Sequence, residues 1–492
     1  MNELILGLDV GSTSARALVV DLDGRVHGKG IARIQSHHPA PGRVEQDPRE
    51  VWKQVEDTVA SALSVAGRST TDLAAVGIAA QRSSVVLWDR STGEPIGPMI
   101  LWSDLRGTER AAELQAAGHL APAIAAVSKL EAALASVENG RRRAAAGELA
   151  WGTLDSYLVH RLTGGDLHVT DYSNAWSSCY LDLATMRSWN EKLIELQGLS
   201  TELFPTLCNT YGSIGRTTRN GFGAEIPIGS VIADQQSGMF AHDALDAGKW
   251  KATYGTSATL MVSTGGAPAL VPGLMPMLLA AREDVAEDGG QSKSETLFAV
   301  EGMVISAGAL LDWLVRDLRL FSSVEELSAA AATVDSSGGV AIRPALQGLG
   351  APYNDPATRA AIVGLSAAST SAEIARAAFE SLAFRMREIA DAAASFEGLD
   401  VPESLPVDGG LAANEVFLQI QADLLGRPVA QHAELEATAL GACIGAALGL
   451  GLASRDELAR FTHTEQLFEP TVESSEAEAR MAAWRVAIDL GS

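Results

Sequence analysis

The chain has 492 residues, more than one hydrophobic core commonly supports, so two domains are the starting expectation. Its apolar content of 47% beside 20% charged residues is that of a globular protein, and a formal net charge of −24 sets it against nucleic acid and anionic membranes as partners. Three widely spaced cysteines, Cys179, Cys208 and Cys443, make neither a disulfide framework nor a metal knuckle and point to a reducing cytoplasm.

In chain order, residues 4–21 (LILGLDVGSTSARALVVD) come first. Apolar runs on both sides of a Gly11-Ser12-Thr13 turn read as two strands of a hairpin. Such a turn leaves successive backbone N–H groups to face an anion, with two hydroxyls beside them. Asp9, at the mouth of the first strand, suits Mg2+, a hard cation that takes carboxylate oxygen. A nucleotide phosphate site and an ordinary hairpin with a polar turn both fit these residues. Glu3 interrupts any export signal, and the small-apolar run 437–453 falls short of the roughly 20 residues of a membrane span, so a soluble cytoplasmic protein is expected.

A turn at Asp21–Gly24 feeds a third strand, 25–34. Asp47 and Pro48 open a helix, 49–66, as cap and first residue. A buried strand, 73–80, ends at Gln81-Arg82-Ser83-Ser84. Another, 85–89, comes next, and 98–102 leads into Ser103-Asp104-Leu105-Arg106. Residues 108–164 read as Ala-rich helix and 170–175 as a polar loop. A strand over 226–233 then delivers Asp234-Gln235-Gln236-Ser237-Gly238. Strands that end in polar clusters are where ligands sit in open α/β sheets, and the alternation with helices places this half in the α/β class.

The second half echoes the first. Residues 250–262 are again a β run, a Gly255-Thr256-Ser257 turn and a β run, which suggests two domains of similar topology. Residues 271–294 read as an irregular, exposed excursion and 301–318 as one amphipathic helix in which Gly308 lets something approach the backbone. A Gly/Pro-rich loop covers 345–356. Thr370 or Ser371 caps a long helix through Ala394. Residues 405–414 read as strand, Gly409-Gly410 turn and helix start, where backbone can approach an anionic or polar group. A last helix, 436–450, is expected beside it.

These motifs, in this order, resemble the FGGY carbohydrate kinases of the actin-like ATPase superfamily. The resemblance rests on DVGSTSARALVVD, QRSSVVLWD, ILWSDLR, GTLDSYLVHRLTGG, HVTDYSNA, ADQQSGMFA, TYGTSATLM, EGMVISAGALLDWL, GLGAPYNDP, VDGGLAANEVFLQIQADLLG and EATALGA, spread from Leu4 to about Leu452. Residues 364–380 look like the family's C-terminal signature in full. The other signature, around Ser128-Lys129-Leu130, is degraded, with Ala132 in place of a tryptophan.

The resemblance implies an α/β fold of two actin-like ATPase (ribonuclease H-like) domains with a cleft between them, over 1–243 and 244–492. It implies an ATP- and Mg2+-dependent phosphotransferase acting on a hydroxyl of a small polyol or sugar. Asp234 would be the catalytic base and Asp9 the Mg2+ ligand. Gly11, Ser12, Thr13 and Arg16 would meet the terminal phosphates, with Gly255 and Thr256 as a facing clamp. Gly308, Gly410 and Asn414 would hold the adenosine. An ATP site divided in this way implies domain closure that expels water.

Within the family the motifs stand nearest to glycerol kinases, and Arg82, Trp102, Asp234 and Gln235 occupy the positions that contact the polyol there. Three positions depart: Ser83 replaces a glutamate, Ile124 a tyrosine and Thr259 a phenylalanine. Smaller walls and a lost carboxylate point to an acceptor larger than glycerol. Ketopentose kinases of the xylulose or ribulose type are the alternative among enzymes. An actin-like ATPase switch without a small acceptor is the alternative outside them, and a sugar-binding sensor is a third; an ATPase switch has no need of Asp234 with the Arg82/Trp102 cluster, and the retention of Asp9 and Asp234 weighs against a sensor. The Ala-rich surface helices are compatible with a homodimer without demanding one.

Overall fold

The computed structural model describes residues 3–284 and 293–490. They fall into two compact units, the first from described residues of Met1–Ala241, Met277–Thr296 and Thr438–Phe461, the second from those of His242–Pro276, Leu297–Ala437 and Thr462–Ser492. The strands of the two main sheets, in chain order, are β1 (Leu4–Val10), β2 (Ser14–Asp21), β3 (Val26–Arg33), β4 (Leu73–Ala80), β5 (Tyr211–Arg216), β6 (Pro227–Ala233), β7 (Trp250–Tyr254), β8 (Ala258–Gly265), β9 (Met275–Asp284), β10 (Lys293–Val304), β11 (Leu405–Asp408), β12 (Val429–His432) and β13 (Thr464–Phe468).

The first unit's sheet has the order β5-β6-β4-β1-β2-β3. β1, β2 and β3 form the antiparallel meander expected from the two turns, and β4 and β6 join parallel to β1 and to each other. Leu4, Leu6, Leu8 and Val10 of β1 are buried in one core with Ala15, Ala17 and Val19 of β2. Helix Pro48–Ala66 covers this face. Asp47 accepts from Arg49 N at 2.9 Å, Pro48 is the first helical residue, and Val51, Val55, Val59 and Ala62 form the buried stripe of a period near 3.6.

The second unit repeats the plan with the order β9-β10-β8-β7-β11-β12-β13. β7, β8 and β10 are an antiparallel meander, and β11 and β12 join in parallel with β7. The helix Ser371–Ala394, capped by Thr370 with Glu373 closing a capping box, runs buried through the core of this unit. No helix among the described residues is long and apolar enough to cross a membrane.

Several local expectations are corrected. Residues 271–294 are not irregular: Met275–Asp284 and Lys293–Val304 are long strands, and only 285–292 lie outside the described residues. Pro272 precedes β9 and Pro276 is its second residue, on an edge strand where no central ladder N–H is lost. Residues 301–318 are not one helix. Glu301–Val304 pairs with β8, and the helix is confined to Gly308–Arg316. A short apolar run does not distinguish buried strand from buried helix, and pairing decided it. The Ala-rich 108–164 region is broken by a strand, Leu149–Gly152, paired with Val86–Asp89. Residues 170–175 are the end of a strand and the start of helix Tyr172–Ser178, capped by Asp171.

The helix at 436–450 exists as Ala437–Gly449, and from Thr438 onward it belongs to the first unit. Gly7 and Gly77 make room for it, because a Cβ on either would run into the carbonyls of Ala439 and Ala442. The last helix of the chain is Ser474–Leu490.

Candidate active site

In the first unit, parallel pairing sets Val10 opposite Ala80 and Ala80 opposite Ala233. The three strands therefore end in register, and the residues just beyond each of them emerge at one carboxyl edge. From β1 come Asp9 and the 11–14 turn, from β4 come Gln81 and Arg82, and from β6 come Asp234 and Gln235.

Asp9 and Arg16 face each other across the hairpin and form an ion pair of 3.2 Å. Gly11 N donates to Ser14 O at 3.0 Å, closing the turn, and Thr13 is exposed at its tip. Two glutamines outside the predicted site brace it: Gln46 Nε2 donates to Ser12 O at 2.6 Å, and the backbone N–H of Gln81 donates to Val10 O at 2.9 Å. Gln81 stands at a strand end where the pattern made it visible. Gln46 acts across 34 residues from an irregular stretch, which no local signal reveals.

Asp234 opens helix Asp234–Ala241, so its carboxylate sits at a positive helix end, and Oδ1 accepts from Gln235 N at 2.8 Å. Arg82 Nε lies 3.5 Å from the same oxygen, and Arg82 Nη1 lies 4.0 Å from Met277 Sδ. Trp102, half-buried, comes just after Met99–Ile100, and a bridge between Val85 and Ile100 brings its segment beside the one after Arg82. Ser83 has φ 60° and donates its hydroxyl to Ser177 O at 2.7 Å. Ile124 is 40% exposed.

Behind this edge lies a buried carboxylate pair. Asp155 accepts from Thr170 Oγ1 at 2.7 Å, and Asp171 accepts from Thr210 Oγ1 at 2.8 Å. Burial, with the charge of Asp171, pushes Asp155 up to about 7, against the pull of the threonine hydroxyls. Ser173, in the turn capped by Asp171, takes the Ala233 N–H at 2.9 Å and so fixes the residue before Asp234.

In the second unit, Gly255 N donates to Ser257 O at 2.8 Å, and Thr256 is exposed at the tip. Gly308 N donates to Gly255 O at 3.0 Å, and a Cβ there would stand 2.6 Å from that oxygen. The glycine is thus required by packing of turn against helix. Gly410 has nothing within 4 Å of an added Cβ, so its backbone opens on space. Asn414 Oδ1 accepts from Phe417 N at 3.0 Å as the helix cap and from Ser328 Oγ at 3.1 Å. Thr259 is buried in β8 between Thr253 and Met303. Asp408, just before the Gly409–Gly410 turn, lies 2.7 Å from His242 Nε2. Burial pushes its carboxyl up, but the His242 hydrogen bond and the Lys251 charge outweigh that and hold it below the ordinary range.

Sequence profiles of the N-terminal and C-terminal domains of FGGY carbohydrate kinases match residues 4–241 and 250–450. The chain belongs to the FGGY family of carbohydrate kinases. Similar relatives include a glycerol kinase of Aromatoleum aromaticum, 40% identical with 99% of this chain and 98% of that protein covered. A glycerol kinase of Deinococcus radiodurans is 37% identical, with 99% and 97% covered. Among solved structures, Plasmodium falciparum glycerol kinase with ADP superposes with a TM-score of 0.85 at 24% identity, covering 99% of this chain and 98% of that one. Xylulose kinase from Rhodospirillum rubrum gives 0.80 at 23%, with 99% and 98% covered. These two establish the fold.

This FGGY kinase is a glycerol-kinase-like phosphotransferase with an alcohol group as acceptor. Kinase membership implies ATP as donor. Each unit by itself presents a turn suited to phosphate, with an exposed threonine at its tip, and in the second unit the Gly410 backbone opens on space. Among the described residues no group of three or more His, Cys, Asp or Glu side chains gathers as a metal cage. Mg2+ on a nucleotide commonly takes one or two carboxylates beside phosphate and water, and Asp9 is a carboxylate beside the 11–14 turn.

Proposed function

We propose that this kinase transfers the γ-phosphate of ATP to a primary hydroxyl of a small polyol, with Arg82, Trp102, Asp234 and Gln235 holding the acceptor. The observation that carries this reading is the Arg82–Asp234 pair at 3.5 Å, on the same sheet edge as the 11–14 turn. Guanidinium and amide groups bind hydroxyls, while an indole face covers C–H bonds.

In-line transfer needs positioning, charge neutralisation on the γ-phosphate and a group to take the hydroxyl proton. Asp234, a carboxylate ordinarily ionised at neutral pH, takes that proton as the acceptor oxygen bonds to phosphorus and the bond to the ADP oxygen breaks. Gly11, Ser12, Thr13 and Arg16 face the terminal phosphates from the first unit. Gly255 and Thr256 meet phosphate, and Gly410 and Asn414 the adenosine, from the second; Gly308 supports them by seating the 255–257 turn. Asp9 would hold Mg2+, which neutralises developing phosphate charge when bound.

Ser83 and Ile124 favour acceptors one or two carbons longer than glycerol, because Ser83 commits its hydroxyl to Ser177 and Ile124 offers no polar atom. Acceptor-dependent ADP release over glycerol, erythritol, xylulose and ribulose tests both levels. Release stimulated by polyols supports the function, and glycerol favoured over every longer acceptor rejects the larger site. Steady ATP hydrolysis unaffected by any of them supports an ATPase switch instead.

A further inference from the structure

Lys129 belongs to the degraded signature and has no part in the roles above. It is fully buried, yet its ammonium touches two chain segments of the first unit, donating to Leu101 O at 2.7 Å and to Ile124 O at 2.9 Å. Leu101 O also accepts from Asp104 N at 3.2 Å, which makes Trp102 and Ser103 the two central residues of a turn. One cation therefore clasps the carbonyl that opens the Trp102 turn and the carbonyl of Ile124.

The far end of the same turn is held independently. Asp104, also fully buried, accepts from Val44 N at 2.7 Å and from Arg106 Nε and Nη2, each at 2.8 Å. Arg106 in turn reaches Glu45. At the near end Leu101 N donates to Val44 O at 3.1 Å, and Leu101 O is the carbonyl that Lys129 ties to Ile124.

Burying an ammonium is costly, and an apolar side chain of similar length fills the same volume without that cost. Burial pushes Lys129 down to about 7, with Asp104 opposing and Arg106 adding to the fall. The cost is offset where two carbonyls that no backbone N–H of their own segment draws together are held by one donor.

We propose that Lys129 is a positioning residue for the acceptor: it fixes the Trp102 turn against the Ile124 segment and thereby sets acceptor affinity. This rests on the reading that places Trp102 at the acceptor, and the test separates the two.

Lys129→Met, Lys129→Gln, Trp102→Ala and the double variants are assayed with glycerol and ATP, beside thermal melting. Lys129→Met is expected to raise the KM for glycerol about tenfold, as loss of a charge-assisted pair of hydrogen bonds implies, with the KM for ATP within about twofold of the parent. In the Trp102→Ala background the same change is expected to have little further effect, since the side chain it positions is gone.

If Lys129→Met does not fold, Lys129→Gln decides the matter, since its amide keeps two donors on a shorter arm. A few-fold rise in glycerol KM that vanishes with Trp102→Ala supports the role, and an unchanged KM overturns it. Trp102→Ala raising glycerol KM while neither Lys129 variant does overturns this inference and leaves the acceptor reading intact. Trp102→Ala without effect overturns the acceptor reading and the inference with it. Equal rises in both KM values mark Lys129 as merely structural and overturn the positioning role.

Discussion

The two hairpin turns share a scaffold and differ in charge. In the first, the register sets Asp9 opposite Arg16; in the second it sets Thr253 opposite Thr259. The buried carboxylates differ in the opposite sense. Asp155 in the first unit is raised by burial and a like charge, whereas Asp408 in the second is held low by His242 and Lys251. A repeated fold thus carries two electrostatic designs, with an ion pair beside the turn where phosphoryl chemistry is proposed and uncharged threonines beside the other, whose neighbouring carboxylate is buried against His242.

The sharpest way to break this contrast is Asp9→Asn. Loss of one preorganised charge at the reacting phosphates is expected to lower kcat by roughly 10²–10³ without loss of folding. Stopped or steady ADP release within a few fold of the parent would show that the Asp9–Arg16 pair is only structural.

Asp408→Asn comes next, as an effect on stability. It removes a buried carboxylate that accepts from His242 and faces the Lys251 charge, and is expected to cost about 3–5 kcal/mol in denaturant unfolding. A group held below its ordinary value gives stability that is present at neutral pH and lost as pH falls through that lowered value. A parent and variant of equal stability at neutral pH would remove Asp408 from the account.

Asp155→Asn is expected to act with the reverse pH sense. Because the folded state holds its proton up to about 7, against an ordinary 3.8, its stability contribution is full below about 4 and is lost as pH rises towards 7. The variant should therefore melt closer to the parent at low pH and gain on it by a few degrees above neutrality. Parallel melting curves against pH would say that Asp155 is ionised in the native protein.

The smallest effect is expected at Thr256→Ala. A neutral hydroxyl contact of about 1 kcal/mol predicts a KM for ATP raised less than tenfold and a nearly unchanged kcat. A loss as large as that of Asp9→Asn would erase the asymmetry between the turns.

What was legible in the sequence was local. The β1-turn-β2 hairpin, the Leu73–Ala80 strand, the Asp47–Pro48 start and the Thr370 cap depend on neighbours within a few residues. So did the placement of Arg82 and Asp234 at strand ends. What was not legible depends on distant partners. β9 and β10 are strands because β8 pairs with β10, and the Ala437–Gly449 helix lies on the first sheet because Gly7 and Gly77 admit its backbone. Gln46 and Lys129 act on carbonyls 34 and 28 residues away. Two helical or polar readings also failed where Leu149–Gly152 and Val169–Asp171 pair as short strands.

The central claim is that one carboxylate at the end of β6 takes the acceptor's proton. The most direct measurement is single-turnover phosphoryl transfer from ATP to glycerol by Asp234→Asn, with ATP affinity measured on the same preparation. The account predicts transfer slowed by roughly 10²–10⁴-fold with ATP affinity within a few fold of the parent. Transfer at the parental rate would contradict it.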